Sequence, residues 1–233
     1  MIPEPDWLRA LIPHLTSDPK LAPACPLQLF YNIPDNDPLV QSLDAFVHVT
    51  EPTKDACGVA WCTGSGYVIR RSALEFIGCW PVGTLVEDIF TSSMLLGKGW
   101  NTAYVHEALQ FGTAPESYIG HLKQRTRWTL GTLQSILEQR FCLFGPIVKK
   151  MTIFQRLSGF VFTIDAFFKI LLISVLTIPI VPISGGTLVA YSTYTQLHWQ
   201  VCLAFAVLIL GRVNEYITYL PSGYRLSQRD AGA

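Results

Sequence analysis

The 233 residues hold 17 Lys and Arg against 17 Asp and Glu, giving zero formal charge, while 50% of the chain is apolar and only 15% is charged. Soluble domains carry about a quarter charged residues, so one ordinary water-soluble domain does not account for the whole chain. With zero net charge and no basic cluster interleaved with aromatics, nucleic acid is not expected as a partner.

The first seven residues, from Met1 to Trp7, hold no basic region followed by an apolar core, so no secretory signal is read there. Residues 4–16 have the pattern of a short helix, and 18–26, punctuated by Pro19, Pro23 and Pro26, that of a loop. A strand is predicted at 27–31, a turn at 32–38, and helical spacing over 39–49 that 51–55 breaks. Trp61 and Cys62 lead into Thr63-Gly64-Ser65-Gly66, and Tyr67-Val68-Ile69 is β-prone, so two extended pieces bracket a glycine turn. Ser72 is placed to cap a helix reaching about Ile77. A further helix is predicted over 88–96, ended by Gly97 and Gly99, with a strand at 101–105. Strands alternating with helices argue for an α/β layer.

Residues 116–140 are helical in pattern. Ile119, Leu122, Thr126, Leu130, Leu133 and Leu137 form one stripe, read as the core side. Gln124, Arg127 and Trp128 project together from the opposite face, free for a ligand. From Ile170 to Gly211 the chain holds no Asp, Glu, Lys or Arg for 42 residues. One helical span needs about 20, so two spans are predicted near 162–182 and 197–220, joined by a turn rich in Pro and Gly. Lys149, Lys150 and Arg156 before them, with Arg212, Arg225 and Arg229 flanking or following the second, put both flanks on the cytosolic side. The six cysteines show no Cys-x-x-Cys spacing, so no metal site is read in them, and reduced thiols in a cytosolic domain are expected.

Glu87-Asp88 falls at a helix start, where backbone amides and the helix dipole hold a carboxylate ionised. Such a carboxylate in a cleft accepts a proton from an attacking hydroxyl; it equally serves as a plain cap. Arg127 offers a planar fork for pyrophosphate oxygens, Gln124 an amide for a hydroxyl, and Trp128 a face for a sugar ring. The other reading of this trio is a surface helix with an unrelated Trp. Gly64, Ser65 and Gly66 either bring backbone close to a ligand or make a tight turn.

Together these residues resemble the processive family 2 glycosyltransferases, the cellulose synthase-like group. The likeness covers about residues 46–134: Trp61-Cys62-Thr63-Gly64-Ser65-Gly66 with Arg70-Arg71, Val86-Glu87-Asp88, Gly99-Trp100-Asn101-Thr102-Ala103-Tyr104, and Gln124-Arg125-Thr126-Arg127-Trp128. It implies the C-terminal half of a glycosyltransferase A-type α/β domain at 1–145, an interfacial amphipathic segment at 146–161, a two-span transmembrane hairpin at 162–220 and a cytosolic tail at 221–233. The implied activity is a membrane-bound, inverting β-hexosyl transfer from a UDP-sugar, glucose by preference, to a growing polysaccharide. Asp88, with Glu87 beside it, is then the base on the acceptor hydroxyl. Gln124, Arg127 and Trp128 hold the diphosphate and the acceptor end, and Cys62, Gly64 and Ser65 lie by the acceptor sugar. The expected partners are the UDP-sugar donor, the glycan acceptor, the lipid bilayer of the plasma membrane or Golgi, and further synthase subunits.

Two departures stand out. Val86 replaces the family's usual Thr before Glu-Asp. The Asp-x-Asp that binds Mg2+ or Mn2+ in the complete enzyme is absent, since Asp35-Asn36-Asp37 lies in a Pro-flanked turn too far along. The chain is therefore expected to begin just after the metal-binding half, and the alternative reading is a catalytically silent fragment that binds glycan or a full-length synthase.

Overall fold

The computed structural model describes residues 1–34, 37, 39, 41–161, 164 and 194–219. Residues 1–161 and 164 belong to one compact unit and 194–219 to a second. In chain order the first unit holds β1 (Ile2–Pro3), α1 (Trp7–Ser17), β2 (Leu21–Phe30), α2 (Glu51–Ala56), β3 (Val68–Ile69), α3 (Arg71–Phe76), α4 (Glu87–Gly97), β4 (Asn101–Gly112) and α5 (Tyr118–Glu138). One sheet runs β1-β4-β2-β3, with β2 and β4 parallel and both outer pairs antiparallel. This is the mixed α/β architecture that the alternating pattern predicts.

Both faces of the sheet are covered. Ala103, Val105 and Leu109 of β4 pack with Leu11 of α1, while Tyr104 and Ala108 turn the other way onto Leu27, Val47 and Ala60. Ala22 of β2 joins Ala73, Ile77 and Leu95 from the α3 and α4 region. A parallel pair closed on both sides buries its strands almost continuously, and the first seven residues of β2 are buried.

The predicted loop at 18–26 is mostly strand. Its prolines sit where pairing is irregular: the register against β4 shifts between Leu21 and Ala24 and again between Pro26 and Leu27. Proline lacks the N–H a regular ladder needs and is tolerated at such irregularities. Residues 51–55 do not break the helix either. A π-helical turn at Phe46–Thr50 runs directly into α2, with the Glu51 N–H reaching the Phe46 carbonyl. That widened turn just ahead of Pro52 relieves the clash a proline ring makes with the preceding turn.

The largest correction concerns α5. Ile119, Leu122, Leu130 and Leu137 are all more than half exposed, whereas Gly131, Ser135 and Ile136 are buried. The leucine stripe faces outward because Gly131 is where the helix can approach the body: a Cβ there would lie 2.6 Å from Val86 Cγ1. Gln134 Nε2 secures the contact by donating to the Gly83 carbonyl at 2.9 Å.

Beyond α5, Cys142, Val148 and Met151 pack with Val59 and Leu96. Residues 153–161 are helical, opened by a reciprocal capping box in which Thr152 N–H donates to Gln155 Oε1 at 3.0 Å and Gln155 N–H to Thr152 Oγ1 at 3.1 Å. Ile153, Phe154, Leu157 and Val161 on this helix are exposed.

The second unit contributes the helix Tyr194–Tyr219, of 26 residues, on which Val201, Leu203, Phe205, Ile209 and Leu210 are exposed. Among the described residues no helix is long and apolar enough to cross a membrane. The expected first span near 162–182 lies, apart from residue 164, outside the described residues, as do Asp35, Asn36 and the tail at 221–233.

Candidate active site

The site grows from the first turn of α4. Val86, at φ -135° and ψ 68°, stands at the N-cap and its side chain offers no hydrogen bond; the free N-terminal amide of Ile89 is instead taken by the Asp88 carboxylate, Oδ1 accepting at 2.8 Å. Asp88 Oδ2 accepts from the Gly64 N–H at 2.5 Å. One half-buried carboxylate therefore accepts from the first turn of the helix and anchors the glycine turn. Burial pushes the Asp88 carboxyl above the ordinary carboxylate range, the Ile89 and Gly64 amides pull it back, and neighbouring Glu87 adds to the rise. The sequence argument put the amides first; desolvation outweighs them. Glu87 is exposed.

The turn itself is fixed from three sides. The Cys62 N–H donates to Ser92 Oγ at 2.8 Å. Trp7 Nε1 donates to the Gly66 carbonyl at 2.6 Å. Gly66, at φ +74°, has no room for a Cβ, which would fall 1.8 Å from Gln110 Oε1. Gln110 is fully buried and held by its Nε2 donating to the Pro26 carbonyl at 3.1 Å. Gly64 and Ser65 remain exposed at the tip. The Cys62 thiol faces inward at 3% exposed, and burial, reinforced by Cys25 beside it, raises it well above an ordinary thiol. Its side chain is thus an unreactive filler, and its backbone is what ties the turn to α4. Tyr67 follows the turn; burial, then the charges of Cys62 and Asp88, raise its phenol, and its ring meets Trp80 edge-on at 6.1 Å.

On α5, Gln124, Arg125 and Trp128 are half-buried and Arg127 is exposed. Arg125 Cζ lies 5.1 Å from the centre of the Trp128 ring, and the Asp37 carboxylate acts on its guanidinium, opposing the effect of burial. Gln124 and Trp128 thus share the half-buried side of the helix, not the free outer face expected for them, and the arginine that turns in with them is Arg125. Trp128 stands one turn before Gly131, which packs on Leu85 and Val86, so this face runs toward the segment that carries Glu87 and Asp88. Sequence reasoning missed Arg125, Ser92 and Tyr67. The signals were present: Arg125 lies inside the motif, Ser92 is one helical turn past Asp88, and Tyr67 borders the glycine turn.

Among the described residues no three of His, Cys, Asp or Glu are grouped to hold a metal ion. The Asp37 carboxylate is engaged by the N–H groups of Gln41 at 2.7 Å and Ser42 at 2.9 Å. The described residues do not fit the divalent ion expected of the complete enzyme.

The family model described as Glycosyl transferase family group 2 matches residues 2–212. The chain belongs to this family. Among curated relatives of this glycosyl transferase group 2 chain, the cellulose synthase 1 of Komagataeibacter xylinus is 32% identical over 143 residues, covering 57% of the chain and 9% of the relative. The cellulose synthase catalytic subunit of Xanthomonas axonopodis pv. citri, named as UDP-forming, is 32% identical over 143 residues, 57% of the chain and 19% of the relative. A cellulose synthase 1 catalytic subunit of Komagataeibacter xylinus, also named as UDP-forming, is 37% identical over 89 residues, 38% of the chain and 12% of the relative. The chain thus spans a small part of the length of the curated relatives it matches.

Proposed function

We propose that this chain carries the acceptor-binding half of an inverting, cellulose synthase-like glycosyltransferase, built on part of a glycosyltransferase A-type domain. The half-buried Asp88, anchored between α4 and the glycine turn, is the observation that carries the reading. Asp88 takes the proton of the acceptor hydroxyl, the oxygen attacks the anomeric carbon, and the bond to the diphosphate breaks with its electron pair leaving on UDP. Attack opposite the leaving group turns an α-linked donor into a β linkage. Trp128 offers its face to the acceptor sugar. Arg127, exposed, and Arg125, turned in, supply positive charge for a diphosphate. The names of the UDP-forming relatives favour a UDP-sugar, with glucose as the sugar and a glucan as the product. Mg2+ or Mn2+ would come with the Asp-x-Asp half.

The reading also places the catalytic unit on the cytosolic side of the plasma membrane or Golgi. It is supported by the 42-residue stretch without a charged residue and by the exposed apolar side chains of Tyr194–Tyr219.

The deciding experiment compares the wild-type full chain in native membranes with Asp88→Asn, following labelled glucose from UDP-glucose into polymer. Transfer by the wild type and its loss in the variant, with UDP-glucose binding retained, is the expected result. Substantial turnover by the variant would show that Asp88 is not the base. A wild type that binds glycan without transferring sugar would favour a silent partner of a full-length synthase.

A further inference from the structure

We infer that Ser92 is a positioning residue for this site: its hydroxyl clamps the turn at residues 62–64 onto the helix that carries Asp88. The inference rests on the transferase reading above. Ser92 lies one turn after Asp88 on α4 and is 1% exposed, a position where packing alone calls for an apolar side chain. Its Oγ donates to the Asp88 carbonyl at 3.0 Å and accepts from the Cys62 N–H at 2.8 Å. Both roles of the hydroxyl are therefore used, and its rotor is fixed. Two residues along, the Gly64 N–H donates to Asp88 Oδ2 at 2.5 Å. Two amides of one turn are thus held by one turn of helix, one by a side chain that titrates and one by a side chain that does not.

The division matters during reaction. When Asp88 takes the acceptor's proton, its carboxylate becomes a weaker acceptor for the Gly64 N–H. The neutral Ser92 hydroxyl is unaffected and keeps the turn docked, so Asp88 returns to the same geometry after releasing the proton. The flanking small polar residues do not share the role. Among the described residues, Ser93 Oγ bonds back to the Ile89 carbonyl at 3.1 Å and to nothing else, and the buried Thr91 hydroxyl has no hydrogen-bond partner.

The test uses the full chain in detergent, as wild type, Ser92→Ala and Ser92→Thr, with amide hydrogen exchange read at Cys62 and Gly64 and the pH dependence of glucose transfer read alongside. In the wild type both amides are expected to exchange slowly, since each is hydrogen-bonded. In Ser92→Ala the Cys62 amide is expected to exchange at least about tenfold faster. Its kcat should fall roughly tenfold to a hundredfold, with KM for UDP-glucose within about twofold, because geometry and not donor binding is lost. Ser92→Thr, which keeps the hydroxyl, should restore protection. A folded Ser92→Ala with a protected Cys62 amide and an unmoved pH profile would overturn the clamp. So would a wild type whose Cys62 and Gly64 amides exchange as fast as that of exposed Ser65, a measurement that stands even where Ser92→Ala does not fold. Both amides protected in a wild type that transfers no sugar would support the clamp and defeat the transferase reading.

Discussion

Asp88 does two things that pull its acidity in opposite directions, and the balance sets how the site responds to pH. Burial and Glu87 raise its carboxyl above the ordinary value, against the Ile89 and Gly64 amides. A base must be ionised to work, so transfer is expected to fail as pH drops through a value above the usual carboxylate range, and Glu87→Gln should move that acid limb to lower pH. A kcat against pH series on both proteins checks this; a limb unmoved in the variant would remove Glu87 from the site's electrostatics. The stability consequence has the opposite sense. A carboxyl whose folded pKa is raised adds stability below the unfolded pKa and loses it as pH rises through the folded one, so Asp88→Asn should melt no lower than the wild type at neutral pH. At this scale the sequence was partly legible. The position of Asp88 in the first turn of a helix and the shared side of Gln124 and Trp128 could be read because motif spacing and helical geometry set them. The inward turn of Arg125 and the burial of the Cys62 thiol depend on which neighbours cover them, which spacing does not encode.

Elements deliver those residues through one close approach and one buried pair. Gly131 lets α5 sit against Leu85 and Val86, where a Cβ would come to 2.6 Å of Val86 Cγ1 and 3.0 Å of Leu85 Cβ. Gly131→Ala should therefore lift α5 off the entry to α4 and reduce transfer with little change in helix content, to be checked by activity and circular dichroism on one sample. Behind the turn, α2 contributes Glu51 and Lys54, 0% and 3% exposed and 2.6 Å apart, with Lys54 Nζ 3.9 Å from the Trp61 ring centre. Removing one member of a buried pair costs about 3–5 kcal/mol, while replacing both with apolar residues is close to neutral. Lys54→Met should be destabilised on that scale in urea unfolding, and Glu51→Met with Lys54→Met should recover most of it. Burial already raises the Glu51 carboxyl and Lys54 lowers it. The single variant should thus lose more stability at high pH, where Glu51 must carry its charge alone. Helix existence was legible for α1, α4 and α5 because each runs for three turns or more, and for α4 the stop is also marked by Gly97 and Gly99. The strand through Pro23 and Pro26 was not, because only a partner strand shows where a ladder can spare an N–H. The inward side of α5 was hidden for a related reason: leucines at helical spacing mark a face, and the glycine that allows close approach decides which face is buried.

For the whole molecule the open physical problem is the apolar surface. Val207, Leu208, Ile209 and Leu210 are four consecutive helical residues, each between 45% and 65% exposed. Consecutive positions point in successive directions around a helix, so the apolar character there is not confined to one stripe as it is on a surface helix. Water is a poor solvent for such a cylinder; at ~25 cal/mol per Å² of apolar surface the cost of leaving it wet is large compared with the net stability of a domain. A bilayer covers it without requiring a matched protein partner. The full chain, expressed with both units, should therefore float with membrane vesicles and stay with them through high salt and alkaline carbonate, which strip proteins held by charge alone. Recovery in the aqueous fraction after a salt wash, without detergent and without aggregation, would mean that another protein surface covers Tyr194–Tyr219 and would overturn the proposed membrane location.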